Sequence, residues 1–292
     1  MSSSFLPPEV TQLTESTSIT LAQRIQCQPI STPLNDQPIP TAYVHEGKGN
    51  TPILLLHGFD SSVLEFRRLL PQLAPANETW AIDLLGFGFT ERIPGITSET
   101  IKAHLYACWQ SSIARPLILV GVSMGGAAAI DFSISYPEAV KKLVLIDSAG
   151  FAKAPAMQGF WLTPLVYLAA EFLRQPKVRQ HAGQKAYYNR KLASSDANLC
   201  ASLHLKMPNW RQSMVDFTKT GGYGFLADRI SEVTQETLIL WGDSDKILGT
   251  SDAKRFQRAI GGSQLIWIEK CGHLPHLEKP EITAQHILAF RD

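Results

Sequence analysis

Four aliphatic runs constrain this chain more than any other feature: "PILLL" at residues 52–56, "LILVGV" at 117–122, "KLVLI" at 142–146 and "TLILW" at 237–241. Each is continuous in apolar residues and does not alternate. A half-exposed antiparallel strand alternates apolar and polar positions, whereas a strand covered on both faces reads as an unbroken apolar run. Helix-like patterns separate the runs, over residues 61–73, 98–113, 124–135, 252–259 and 280–290. Alternating strands and helices predict an α/β fold: a doubly wound, mostly parallel sheet with right-handed crossovers.

Further strands are expected at "ETWAID" and "QLIWIE", and two β-like segments at 24–31 and 40–45 flank a turn-forming "TPLNDQPIP". Ser62 followed three residues later by Glu65 reads as a capping box, and Pro280 suits a first helical turn. Residues 1–20 are polar and Pro-bearing, and read as a loosely ordered N-terminal segment. Residues 150–226 have another character: many aromatics, among them Phe160, Trp161, Tyr187, Trp210 and Phe217, and no aliphatic strand. That stretch reads as a helical cap or lid over a core made of 21–149 and 227–292. Its aromatics either line an apolar pocket or form the cap's own core.

Composition removes several classes of function. Apolar residues at 45% and charged residues at 18% describe a globular chain. A net charge of +1 with no long run of one sign gives nucleic acid no electrostatic footing. The four cysteines (Cys27, Cys108, Cys200, Cys271) show no CxxC spacing and no Cys/His ligand pattern, so free thiols in a reducing compartment, and no metal or cofactor, are expected. "MSSSFLPPEV" lacks a basic n-region and an apolar h-region, which points to a cytoplasmic protein. The apolar stretch at 156–173 is broken by Pro164 and Glu171; it suits an interfacial lid helix, hence peripheral membrane contact through the cap, better than a membrane span. The oligomeric state is left open by the sequence.

Gly121-Val122-Ser123-Met124-Gly125 follows an aliphatic strand and precedes a helical, alanine-rich segment. In the Gly-x-Ser-x-Gly pattern the serine occupies a sharp strand-to-helix turn, the glycines avoid steric clash, and the helix N-terminus favours negative charge at the serine. The alternative is a plain Gly-rich turn. A serine nucleophile needs a base, itself held by an acid. His273 follows Cys271-Gly272 directly after "QLIWIE", which places it at the carboxyl end of the sheet; His276, three residues on, is the rival and reads as a supporting residue. Asp243 and Asp245 follow "TLILWG", and Asp147 follows "KLVLI"; each ends a strand on the same rim. Two backbone N–H groups would complete an oxyanion hole, from Met124 and from Phe59 after "LLLHG".

Taken together and in order, these motifs resemble the α/β-hydrolase superfamily over residues 40–292, in its serine-nucleophile, esterase- or lipase-like branch. They are His57-Gly58-Phe59, Asp83-x-x-Gly86-x-Gly88, Gly121 to Gly126, Gly242-x-x-Asp245 and Gly272-His273-x-Pro275-x-x-Glu278. The resemblance implies Ser123 as nucleophile, His273 as base and Asp245, not Asp243, as acid, and a cofactor-free cleavage of a small-molecule ester with an apolar acyl or alcohol part. The faint match of "TGGYGF" to a cyanobacterial and plastid branch implies long prenyl-type esters. Ser123 stands where dehalogenases and epoxide hydrolases of this fold carry Asp. "HGFDSS" lacks the Gly-rich segment common in carbon–carbon-bond hydrolases. That chemistry, a perhydrolase, or a ligand-binding receptor on the same fold are the alternatives.

Overall fold

The computed structural model describes residues 5–151 and 163–291. Eight strands form one sheet: β1 (Gln26–Ile30), β2 (Ile39–Glu46), β3 (Ile53–Leu56), β4 (Thr79–Ile82), β5 (Leu117–Val122), β6 (Val140–Ile146), β7 (Glu236–Gly242) and β8 (Gln264–Ile268). Their order is β1-β2-β4-β3-β5-β6-β7-β8; β2 is antiparallel to β1 and β4, and every other pairing is parallel. From β3 the chain first turns outward to β4 and then returns to β5. The strand order therefore reverses between β3 and β5, the place where open α/β sheets form their crevice.

The helices are α1 (Ser16–Arg24), α2 (Leu70–Leu73), α3 (Ser98–Ser112), α4 (Met124–Ser135), α5 (Thr163–Arg174), α6 (Pro176–Ala186), α7 (Ser195–Cys200), α8 (Trp210–Lys219), α9 (Ser251–Ala259), α10 (Pro275–Glu278) and α11 (Pro280–Arg291). The reason for the unbroken aliphatic runs is visible in the packing. Leu54, Leu56, Leu119, Leu145 and Trp241 face one core layer with α3, α4 and α9, while their neighbours Ile53, Leu55, Val120, Val144 and Leu240 face a second layer with α1, α2 and α11. Successive side chains alternate between two dry faces, so both faces of the run are apolar and a polar residue such as Thr237 must bond the backbone.

Two local expectations come out differently. Ser62 does cap a turn, accepting from Leu64 N, but that turn is a short 3-10 helix over Val63–Phe66. Glu65 does not reach back to it; its carboxylate is buried and goes to the loop after β3. Within the segment expected to be loosely ordered, residues 8–12 form a 3-10 turn and α1 begins at Ser16, because Leu6, Leu13 and Leu21 bury their side chains against the second core layer. Between β6 and β7 the described residues hold α5–α8 and short 3-10 turns and no strand. Phe160 and Trp161 lie outside the described residues.

Candidate active site

Ser123 sits between β5 and α4 with φ 52° and ψ −118°, a conformation that costs an L-residue on the order of 1–3 kcal/mol. Its backbone is pinned there: N donates to Ile146 O (3.0 Å), and O accepts from Gly126 N (3.0 Å) and Ala149 N (2.9 Å). The flanking glycines are required by close approach. A Cβ on Gly121 would lie 2.3 Å from Gly125 O, and one on Gly125 would lie 2.2 Å from Leu56 O.

The loop after β3 is held beside this turn. A Cβ on Gly58 would stand 3.5 Å from Ser123 Cβ. His57 is fully buried; its Nε2 accepts from Leu84 N (3.1 Å), so Nδ1 carries the proton and donates to Gly58 O (2.8 Å). Burial lowers His57 to about 4, which fits this neutral form. Gly58 N donates to Glu65 Oε2 (2.9 Å). Burial pushes the Glu65 carboxyl upward, and His276, 3.1 Å from Oε1, together with the field of His57 brings it down to about 2. Asp83 pins the next loop, accepting from Val63 N and Phe89 N, each at 2.6 Å, and burial raises it to about 7. Neither Phe59 N nor Met124 N donates a hydrogen bond among the described residues. Met124 is the first residue of α4, whose leading N–H groups have no intrahelical acceptor.

The two histidines and three aspartates left open by the sequence separate clearly. His273 Nδ1 donates to Asp245 Oδ2 (3.0 Å), and both side chains are nearly buried. The second oxygen of Asp245 accepts from Ile247 N (2.7 Å) and Leu248 N (3.2 Å). Burial raises the Asp245 carboxyl, but the His273 contact and the two amides outweigh it and hold it below the usual range. Asp243 instead binds Lys270 N and Cys271 N, stitching the β7 and β8 loops together. His276 is buried against Glu65 and Phe66. Ser123 and His273 line one cavity, although no hydrogen bond joins them; such contacts often close only when substrate is bound.

Three residues matter more than the sequence suggested. Asp147, the acid candidate after β6, lies fully buried with its carboxylate oxygens close to Asp245 and His273. It accepts from Gly242 N (3.1 Å), and burial plus the adjacent Asp245 charge push its carboxyl well above the usual range, a shift that favours its protonated form beside Asp245. Asp60, directly after Phe59, accepts from His204 Nε2 (2.9 Å), Trp210 Nε1 (2.7 Å) and the Arg179 guanidinium, all from the 150–226 stretch. Glu65 fixes the Phe59 loop from beneath. Their signal was position: Asp60 and Glu65 in the segment following His-Gly, and Asp147 at a strand end on the Ser123 rim. Cys271 is buried and its thiol is pushed up by burial, which leaves it a poor nucleophile.

The cavity holds about 490 Å³ and opens to solvent. Its walls come from Phe59, Ile247 and Leu277 below and from Leu173, Ala182 and Tyr187 above. Of the aromatics in residues 163–226, Tyr187 alone lines it. Trp210, Phe217 and Tyr223 are buried, and Phe217 packs on Phe59 and Phe87 (centroids 6.1 and 5.5 Å). The wall is apolar but mainly aliphatic. The two parts meet again at His273, whose N donates to Ala186 O (2.7 Å), and at Glu278, which accepts from Tyr188 N and Asn189 N.

A strained serine turn at the switch point of a parallel sheet, with a buried imidazole–carboxylate pair on the same rim, defines a class of α/β proteins built around one crevice. Residues 51–280 match the family model described as alpha/beta hydrolase fold, and the chain belongs to that family. It is 33% identical over 298 residues to the alpha/beta hydrolase domain-containing protein VTE7 of Arabidopsis thaliana, covering 98% of this chain and 89% of that one. Lipase 1 of Psychrobacter immobilis is 30% identical (85% and 80% covered), and the 2-hydroxy-6-oxo-2,4-heptadienoate hydrolase of Pseudomonas putida is 29% identical (81% and 87% covered).

Proposed function

We propose that the protein is a serine hydrolase that cleaves a carboxylic ester whose acyl or alcohol part is apolar. The observation that carries this is Ser123, held at φ 52° in the cavity that His273 lines, with His273 bonded to Asp245. Ser123 Oγ attacks the ester carbonyl while its proton passes to His273 Nε2. Asp245 fixes the tautomer and stabilises the imidazolium. The oxyanion takes hydrogen bonds from the N–H groups of Phe59 and Met124, each worth on the order of 10²–10³ in rate. The tetrahedral adduct collapses, the alcohol leaves with the proton from His273, and an acyl-Ser123 ester remains. Water then attacks that ester, giving its proton to His273, and the acid departs as Ser123 recovers its hydrogen. Tuning by Asp147 and anchoring of the Phe59 loop by Glu65 support the same sequence of steps.

The aliphatic cavity favours esters with a chain over acetate. In a series of p-nitrophenyl esters, kcat/KM rises with acyl length before it falls; a profile that falls from acetate onward counts against an apolar-chain substrate. The heptadienoate hydrolase relative keeps carbon–carbon cleavage as the second reading. Turnover of 2-hydroxy-6-oxo-2,4-heptadienoate above that of every ester would reverse the order.

A further inference from the structure

Among the described residues, α5 is packed by one narrow side only. Val166 and Ala170 are buried, whereas Leu165, Leu168 and Phe172 are 55, 66 and 62% exposed, at the i, i+3, i+7 spacing of a single helix face. Large apolar side chains grouped on one exposed helix face mark an interaction surface. Charge is just as uneven. Residues 163–191 hold six Lys and Arg against one Glu, a local +5 in a chain of net +1. Of these, Lys177 and Lys185 on α6 are exposed and make no ion pair among the described residues. The same two helices supply cavity wall: Leu173 at the end of α5, and Val178 and Ala182 on α6, line the space that Ser123 shares.

We propose that the α5–α6 face docks on an anionic lipid surface, with Leu165, Leu168 and Phe172 in the acyl–headgroup boundary and Lys177 and Lys185 against lipid phosphates. An amphipathic helix with an apolar side and basic flanks lies in the interface plane, held by buried apolar area and by attraction to negative headgroups. Docking by this face sets the cavity mouth beside the bilayer, so a lipid-dissolved ester reaches Ser123 without crossing water. The last step rests on the hydrolase reading; the docking itself does not.

The test is co-sedimentation of the full chain with vesicles of phosphatidylcholine alone or mixed with phosphatidylglycerol, at low and high salt. Binding to the mixed vesicles should exceed binding to phosphatidylcholine by about tenfold or more at low salt and fall as salt screens the lysines. Leu168→Glu with Phe172→Glu, and separately Lys177→Glu with Lys185→Glu, should each lose about tenfold or more of that binding while hydrolysing a short soluble ester as the wild type does. Ser123→Ala should bind as the wild type, which separates a failure of docking from a failure of the hydrolase reading. Equal binding to both vesicle types at low salt, or double variants that bind like the wild type, would overturn the proposal.

Discussion

Asp60→Asn is the perturbation whose size follows most directly from the structure. The Asp60 carboxylate is 7% exposed and its partner Arg179 is 17% exposed, so solvent screens the pair little. Burial works against the charge, and His204, Arg179 and Trp210 overcome it, holding the carboxyl far below the usual range. Burial also lowers the His204 imidazole against the pull of Asp60, which favours its neutral form as an N–H donor and leaves Arg179 to supply the opposite charge. Asparagine keeps the shape but turns an NH₂ toward one of three donors and strands the guanidinium. Breaking a buried pair from one side costs about 3–5 kcal/mol, and each kcal/mol moves Tm by about 2 °C in a domain of this size. A drop of about 6 °C or more is expected by circular dichroism, with KM rising as the Phe59 loop loosens. Adding Arg179→Met should restore part of the loss, because no unpaired charge then remains. The sign with pH is fixed: a depressed carboxyl contributes stability above its unfolded pKa of about 3.9 and loses it as pH falls toward the folded value. The gap in Tm between wild type and variant should therefore hold from about pH 8 to pH 5 and narrow below about pH 4. A Tm within about 2 °C of wild type at pH 7, or a gap that ignores acid, would refute the pairing.

Gly125→Ala sets a Cβ 2.2 Å from the Leu56 carbonyl oxygen, backbone against backbone; ester turnover should fall by about 10² or more while the fold, read by far-ultraviolet circular dichroism, survives with a loss of about 1–3 kcal/mol. Asp147→Asn should appear at pH 7 as one lost carboxylic-acid C=O stretch in the wild-type-minus-variant infrared difference spectrum, with turnover kept within about threefold because an amide keeps a donor beside Asp245; a difference spectrum flat in that region would place the proton elsewhere. Asp243→Asn, by contrast, should cost stability at the β7–β8 loops and leave the His273–Asp245 contact in place, read as a lower Tm with kcat unchanged.

The centre of the sheet was legible because β3 and β5 are dry on both faces and β6 and β7 nearly so, and their runs needed no tertiary information to be recognised. Strand ends could be ordered along one rim, which brought Ser123, His273 and three candidate aspartates together; the choice of Asp245 over Asp243 and Asp147 came from the family resemblance. Helix α4 was equally plain, from Met124 to Ser135, since its small residues answer a packing demand that is local to the turn at Ser123. What the sequence concealed was the destination of long-range polar side chains. Glu65 carries a capping-box spacing but spends its carboxylate on Gly58 N, seven residues back, and on His276. Asp60 finds partners 119, 144 and 150 positions away, and no periodicity encodes that. Asp147 looked like a spare acid because burial and proximity to Asp245, not residue type, set the upward shift of its carboxyl. The N-terminal turns were missed for the opposite reason: three leucines among polar residues suffice to dock a short helix when the sheet supplies the apolar surface.

If Ser123 is a nucleophile activated by His273, it must react covalently with an electrophile that mimics an ester carbonyl. A fluorophosphonate probe followed by peptide mass spectrometry measures it. One adduct is expected, on Ser123, absent in Ser123→Ala and formed far more slowly in His273→Ala. Labelling of Ser123→Ala at the wild-type rate, or an adduct on another residue of the wild type, would contradict it.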